Sequence, residues 1–227
     1  MLKVLCLPGY YTNKELMDVQ MKKFKRYFEK QMEFTIIDPP FEFTERELLE
    51  ADESILKFCA KTKTKPLNWL TYLDISQGPG NLEQYLDKAI NFLINYLKNS
   101  KVKFEGIFGF SQGGLILDYL LYKASLPNSE IPKENLPRFA MIGSANYLGY
   151  TGDFGYWKRA EIPIVFLIGE IDYFFMRNCL MTVFYKDPMV IFHKGGHKIP
   201  SLDDEQISRM REFFNSFKVF RRVHGKL

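Results

Sequence analysis

The sequence predicts an α/β fold: a doubly wound, mainly parallel six-stranded sheet with helices on both faces. Three observations carry this reading. Six short runs along the chain are apolar at successive positions, as strands buried on both faces are. Stretches with apolar residues at helical spacing separate them, the alternation of βα units. The 227 residues, with 46% hydrophobic and 16% aromatic content, are enough for one sizeable core, so residues 1–227 are expected to form a single domain.

Lys3 to Leu7 reads as the first strand. Thr12 with Glu15 then reads as a capping box ahead of Leu16, Met21, Phe24 and Phe28 at helical spacing. Phe34 to Ile37 is a second strand, stopped by Asp38-Pro39-Pro40, because proline cannot donate to a ladder and holds its predecessor extended. A capping box of Thr44 and Glu47 opens a helix toward Cys59, followed by polar Lys61 to Lys65 and an aromatic loop with Trp69 and Tyr72. That segment is too long for a plain βα connection. Leu82, Tyr85, Leu86, Ala89, Leu93, Tyr96 and Leu97 predict a helix over about 81–99.

Phe104 to Phe108, Phe139 to Ile142, Ile164 to Ile168 and Met189 to Phe192 complete the six strands. Helices are expected at Gly113 to Ala124, Met176 to Tyr185 and Ser201 to Phe217, the last capped by Ser201 with Asp204. Lys218, Arg221, Arg222 and Lys226 then mark a basic, solvated tail.

With 31 basic against 27 acidic residues the net charge is +4, too evenly spread to imply a nucleic-acid partner. The apolar start is cut short by Pro8-Gly9 and no stretch is long enough to span a bilayer, so a cytoplasmic protein without stable membrane insertion is expected. Cys6, Cys59 and Cys179 lie far apart with no C-x-x-C spacing, which suggests free thiols in place of a disulfide framework or a zinc cluster.

Gly109-Phe110-Ser111-Gln112-Gly113 matches G-x-S-x-G, with an apolar run before it and a helical stretch after it. The pattern belongs to a sharp strand-to-helix turn that lifts a nucleophilic serine above the sheet edge; a tight turn without chemistry is the alternative. A serine hydroxyl needs a base, and the base an orienting acid. Of three histidines, His197 lies in the loop between the last strand and the last helix, His193 at the strand end is its competitor, and His224 is in the tail. A metal pair of His193 and His197 would need a helix, which Gly195-Gly196 breaks, so no metal is expected. Asp172 follows the strand Ile164 to Ile168, with Glu170 as the nearby alternative. An oxyanion needs preset donors. The Gln112 amide is one candidate and the Tyr10 amide the other, with Tyr11 a close alternative.

These residues resemble the FSH family of serine hydrolases, related to the ovarian-cancer-associated esterase. The resemblance is carried by Lys3-Val4-Leu5-Cys6-Leu7-Pro8-Gly9-Tyr10, Phe104 through Gly113, Gly169-Glu170-Ile171-Asp172 and His193 through Pro200. It implies an α/β-hydrolase core, a triad of Ser111, Asp172 and His197, and carboxylesterase or thioesterase activity without any cofactor. Pro8 departs from the family, which usually has a histidine there, so the loop geometry or hydrogen bonding around the oxyanion donors is expected to differ, with the triad unaffected. No G-x-G-x-x-G follows a strand, so a nicotinamide site is not expected.

The long stretches near 41–80 and 145–161 are expected to act as partial lids at the carboxyl edge of the sheet. They carry Phe41, Phe43, Trp69, Tyr72, Tyr147, Phe154, Tyr156 and Trp157. With Tyr11, the residues Phe41, Trp69 and Tyr147 are expected to line an apolar pocket. The expected substrate is a small-molecule ester or thioester of medium to long acyl chain, cleaved through an acyl-enzyme on Ser111. A non-catalytic module binding an acyl ligand or a protein on the same fold is the alternative.

Overall fold

A computed structural model of the chain describes residues 1–49, 51–70, 79–145, 159 and 161–224. Six strands form the main sheet: β1 (Leu2–Leu7), β2 (Met32–Ile36), β5 (Gly106–Phe110), β6 (Phe139–Gly143), β7 (Ile164–Gly169) and β8 (Met189–His193). Their order is β2-β1-β5-β6-β7-β8, and every neighbouring pair is parallel. The chain starts inside the sheet, steps out to β2 and returns to β5 on the other side of β1. The strand order reverses at the β1–β5 boundary, where open α/β sheets form a crevice at their carboxyl ends.

Side chains alternate between two cores. Leu2, Val4 and Cys6 join α1 (Lys14–Phe28) and α7 (Asp204–His224) on one face through Met17, Met21, Phe24, Met210 and Phe214. Leu5 and Leu7 join α4 (Pro79–Asn99) and α5 (Gln112–Ser125) on the other face through Leu86, Leu93, Ile116 and Leu120. The short α6 (Phe175–Thr182) adds Met181 to this second core. Helices on both faces explain why the strands read as continuous apolar runs.

Several boundaries differ from the sequence reading. The cap of α1 is Asn13, not Thr12: its Oδ1 accepts the Leu16 amide at 2.9 Å while its Nδ2 donates to Thr64 Oγ1 and the Lys65 carbonyl. An amide can accept from the helix and donate across the loop at once. Thr12 instead donates to the Tyr10 carbonyl. The Thr44–Glu47 box forms, but the helix behind it breaks into α2 (Glu45–Leu49) and α3 (Glu53–Thr62), because Asp52 recaps the chain on the Ser54 amide. A hairpin of β3 (Phe41–Glu42) and β4 (Leu67–Asn68) closes this insertion.

Helix α7 is capped by Asp203 and Gln206 in place of Ser201 and Asp204, and it continues to His224 where a tail was expected. Strand β5 runs on through Gly109 and Phe110, and α6 stops at Thr182, short of Tyr185. Among the described residues no helix is long and apolar enough to cross a membrane.

One charged pair is completely buried. Arg159 Nε donates to Asp118 Oδ1 at 2.9 Å and Nη2 to Oδ2 at 3.2 Å, and the guanidinium lies over the Tyr122 and Phe184 rings. Tyr185 donates its hydroxyl to Asp118 Oδ1 at 2.7 Å; burial, then the adjacent carboxylate, pushes this phenol well above its ordinary value and keeps it a donor. The pair ties α5 to the segment ahead of β7. Asp118→Ala should lower the unfolding free energy in urea by about 3–5 kcal/mol, since it leaves a buried guanidinium without its carboxylate. Tyr185→Phe, which removes one hydrogen bond to a charged acceptor, should cost about 1.5–3 kcal/mol.

Candidate active site

Strand β5 passes into α5 through a single residue, Ser111, whose backbone stands at φ 53°, ψ −115°. A side chain rarely adopts this conformation, at a cost of roughly 1–3 kcal/mol. Bonds on both sides impose it: Ser111 donates its amide to the Gly143 carbonyl at 2.8 Å, and its own carbonyl accepts the Leu115 amide at 3.1 Å. The flanking glycines allow the turn to close. A Cβ on Gly109 would lie 2.4 Å from the Gly113 carbonyl oxygen, and one on Gly113 would lie 2.2 Å from the Leu7 carbonyl oxygen. Strand, helix and β1 meet main chain to main chain, and the Ser111 side chain is lifted to the carboxyl edge.

The structure brings the three predicted side chains together there. His197 Nε2 is 2.9 Å from Ser111 Oγ, and His197 Nδ1 is 3.1 and 3.2 Å from the two carboxylate oxygens of Asp172. A carboxylate only accepts, so the imidazole proton sits on Nδ1 and the Nε2 lone pair faces the serine hydroxyl. Asp172 is buried, and its Oδ1 also accepts the Phe174 amide at 2.8 Å. The acid turn is sewn to the histidine loop by main-chain bonds from Glu170 to the His193 carbonyl and from Ile171 to the Gly195 carbonyl. Glu170, the alternative acid, is exposed.

His193, the alternative base, is buried beneath the loop, and its Nδ1 accepts the Gly195 amide. Nothing is described of the His224 side chain. Among the described residues no three His, Cys, Asp or Glu side chains are grouped to hold a metal ion.

Of the two predicted oxyanion donors, Gln112 follows Ser111 directly and Tyr10 follows Gly9, which packs against it. Gln112 opens α5, so intrahelical bonding leaves its amide unused. Gly9 lies against the serine, since a Cβ on it would be 3.1 Å from Ser111 Cβ, and this brings the loop carrying Tyr10 and Tyr11 to the site. Tyr11 stands at φ 56°, stacks on Phe43 at 4.2 Å and donates its hydroxyl to the Glu47 carbonyl. Pro8 is buried, and its carbonyl accepts the Trp69 indole N–H at 2.9 Å.

The other pocket residues fall differently. Trp69 is fully buried beneath the β1 loop, so it braces the site from below and presents no surface to a ligand. Phe41 sits half-buried on the β3–β4 hairpin. Tyr147, Tyr72, Phe154, Tyr156 and Trp157 lie outside the described residues.

Two features escaped the sequence reading. The Gln112 side chain clamps the insertion: Oε1 accepts the Trp69 amide at 2.7 Å and Nε2 donates to the Leu70 carbonyl at 2.8 Å. Three aromatic rings also hold His197. Tyr173 stacks on it with centroids 4.7 Å apart, Phe174 meets it edge-on at 5.5 Å and Phe110 is tilted against it at 5.4 Å. The signal was the aromatic run directly after the acid, Asp172-Tyr173-Phe174-Phe175.

The sequence model of the FSH1 serine hydrolases matches residues 1–208. The chain belongs to this family. An uncharacterised hydrolase of Schizosaccharomyces pombe is 26% identical over 88% of this chain, which spans 47% of that relative's length. An esterase of Drosophila melanogaster is 23% identical over 95% of this chain and 73% of its own. Acyl-protein thioesterase 2 of Zea mays superposes with a TM-score of 0.57 at 12% identity, covering 95% of this chain and 93% of the other. The chain thus has the α/β-hydrolase fold.

Replacing Gln112 with alanine keeps the amide of residue 112 but leaves the buried Trp69 N–H and Leu70 C=O unmatched. The variant should lose about 1–3 kcal/mol of stability for each orphaned group, measured by urea unfolding. Gly113→Ala should fail to give a folded protein, checked by circular dichroism, because its Cβ would meet main chain that has nowhere to move.

Proposed function

We propose that the protein hydrolyses carboxylic esters or thioesters of medium to long acyl chains through an acyl-enzyme on Ser111. The observation that carries this is the continuous hydrogen-bonded chain from Ser111 Oγ through His197 to buried Asp172. His197 Nε2 takes the hydroxyl proton as Oγ attacks the substrate carbonyl, and Asp172 stabilises the imidazolium that forms. The negative charge developing on the carbonyl oxygen is met by the amides of Gln112 and Tyr10, with Tyr11 as the alternative donor. The imidazolium then protonates the departing alkoxide or thiolate. Water, activated by the same nitrogen, cleaves the acyl-enzyme and restores the serine.

The acyl preference is supported by apolar surface at the rim. Ile171, Tyr173 and Met176 are 76%, 74% and 76% exposed beside the acid turn, and Tyr10, Tyr11 and Phe43 form an aromatic cluster next to the loop on Gly9. Such a rim favours an acyl chain over a charged or sugar-like group. The names of the fly esterase and the maize thioesterase agree with both leaving groups. The three free thiols suit the reducing cytoplasm, and we take the reaction to run there in a single domain, its substrate a small molecule.

A fluorophosphonate probe should label the wild-type protein and not Ser111→Ala; a folded wild type that takes no label would overturn the mechanism. His197→Ala should lower kcat by at least about 10³-fold, as much as Ser111→Ala and without further loss in the double variant, since the two act as a unit. Asp172→Asn should lose somewhat less. For p-nitrophenyl esters, kcat/KM should rise from acetyl toward medium chains, because each buried methylene contributes about 0.8 kcal/mol. A flat profile would refute the acyl-chain preference and leave the mechanism standing.

A further inference from the structure

We infer that His193 is a positioning residue for the reaction, its Nδ1 acting as the acceptor that shapes the loop delivering His197 to Ser111. The inference rests on the reading of His197 as the base. His193 ends β8 opposite Gly169, the last residue of β7, so it stands where the acid turn and the base loop leave the sheet side by side. Its own carbonyl accepts the Glu170 amide at 2.9 Å, and its Nδ1 accepts the Gly195 amide at 3.2 Å. The Gly195 carbonyl in turn accepts the Ile171 amide, closing a ring of bonds between the two turns. The imidazole fills the space between them. A Cβ on Gly169 would come 3.1 Å from His193 Cε1, and one on Gly195 would come 2.9 Å from Nδ1.

Stability does not explain an imidazole here. His193 is 2% exposed and its Nε2 has no hydrogen-bond partner among the described residues, which is a cost to the folded state. The Gly195 N–H fixes Nδ1 as the acceptor, so the proton must sit on that unpartnered nitrogen. Burial, then Lys198, holds the imidazole below its ordinary pKa against the opposing pull of Asp172 and Glu170, and it stays neutral and able to accept. A ring of similar shape without Nδ1 would pack as well but release the Gly195 amide. His197, two residues on, would then lose its register to Ser111, and misplacement of about 1 Å can cost 100-fold in rate.

The test compares three variants of the full chain, using p-nitrophenyl butyrate turnover, thermal melting and fluorophosphonate labelling of Ser111. His193→Phe keeps the ring and removes the acceptor. It should lower kcat by about 10- to 100-fold with KM nearly unchanged, slow the labelling in parallel, and leave Tm equal or higher. His193→Asn can set Oδ1 near the place of Nδ1 and should recover most of the lost kcat. His193→Gln, with the same amide one methylene further out, should not, and it gives the answer if the phenylalanine variant fails to fold. Full kcat in His193→Phe or His193→Gln overturns the inference. So does a loss of kcat in all three variants that follows a loss of Tm, which would make the residue a packing element. If the wild type turns over ester and takes the probe in either case, the reading of Ser111 and His197 stands. A wild type that takes no probe removes both.

Discussion

The contact on which the rest of the site depends is the approach of Gly113 to the Leu7 carbonyl. It seats the first turn of α5 on the end of β1, so that Ser111 must cross from strand to helix with a positive φ. The strain of that residue is held by the ladder bond to Gly143 on one side and the helical bond from Leu115 on the other. Everything that addresses the serine is positioned against this turn: the β1 loop through Gly9, the insertion through Gln112, and the histidine through Oγ. The reversal of strand order between β1 and β5 opens the space into which all of them project.

The two partners of Ser111 come from a different construction. Asp172 and His197 leave adjacent parallel strands, β7 and β8, and the main-chain bonds between their loops fix the spacing of the pair before any side chain is considered. Ser111 is held by its own strained backbone, whereas His197 is held by its neighbours: Asp172 below, the rings of Tyr173, Phe174 and Phe110 around it, and the loop geometry at His193 and Gly195 behind it.

Much of this was legible in the chain. The six strands read clearly because the four central ones are buried on both faces while β2 and β8, at the edges, stay apolar enough to show, and Ser111, Asp172 and His197 each follow a strand at the edge where chemistry is possible. What was hidden depends on contacts between remote segments. The cap of α1 moved from Thr12 to Asn13 because of Thr64 and Lys65, far along the chain. The break between α2 and α3 turned on Asp52, whose cap competes with helical continuation. Trp69 read as pocket lining by composition, but its indole is committed to the Pro8 carbonyl. The Gln112 clamp could not be read at all, since it joins two peptide groups through a side chain and leaves no periodic mark.

The helix that begins directly after Ser111 is fastened twice within less than two turns. Gln112 grips the chain at Trp69 and Leu70, and Asp118 grips it at Arg159. The first grip falls on the excursion between β2 and β5, the second on the stretch between β6 and β7. Each excursion is thereby tied to the helix that begins beside the serine. A slip of that helix by one residue would have to break both ties together, so its register is guarded from two directions.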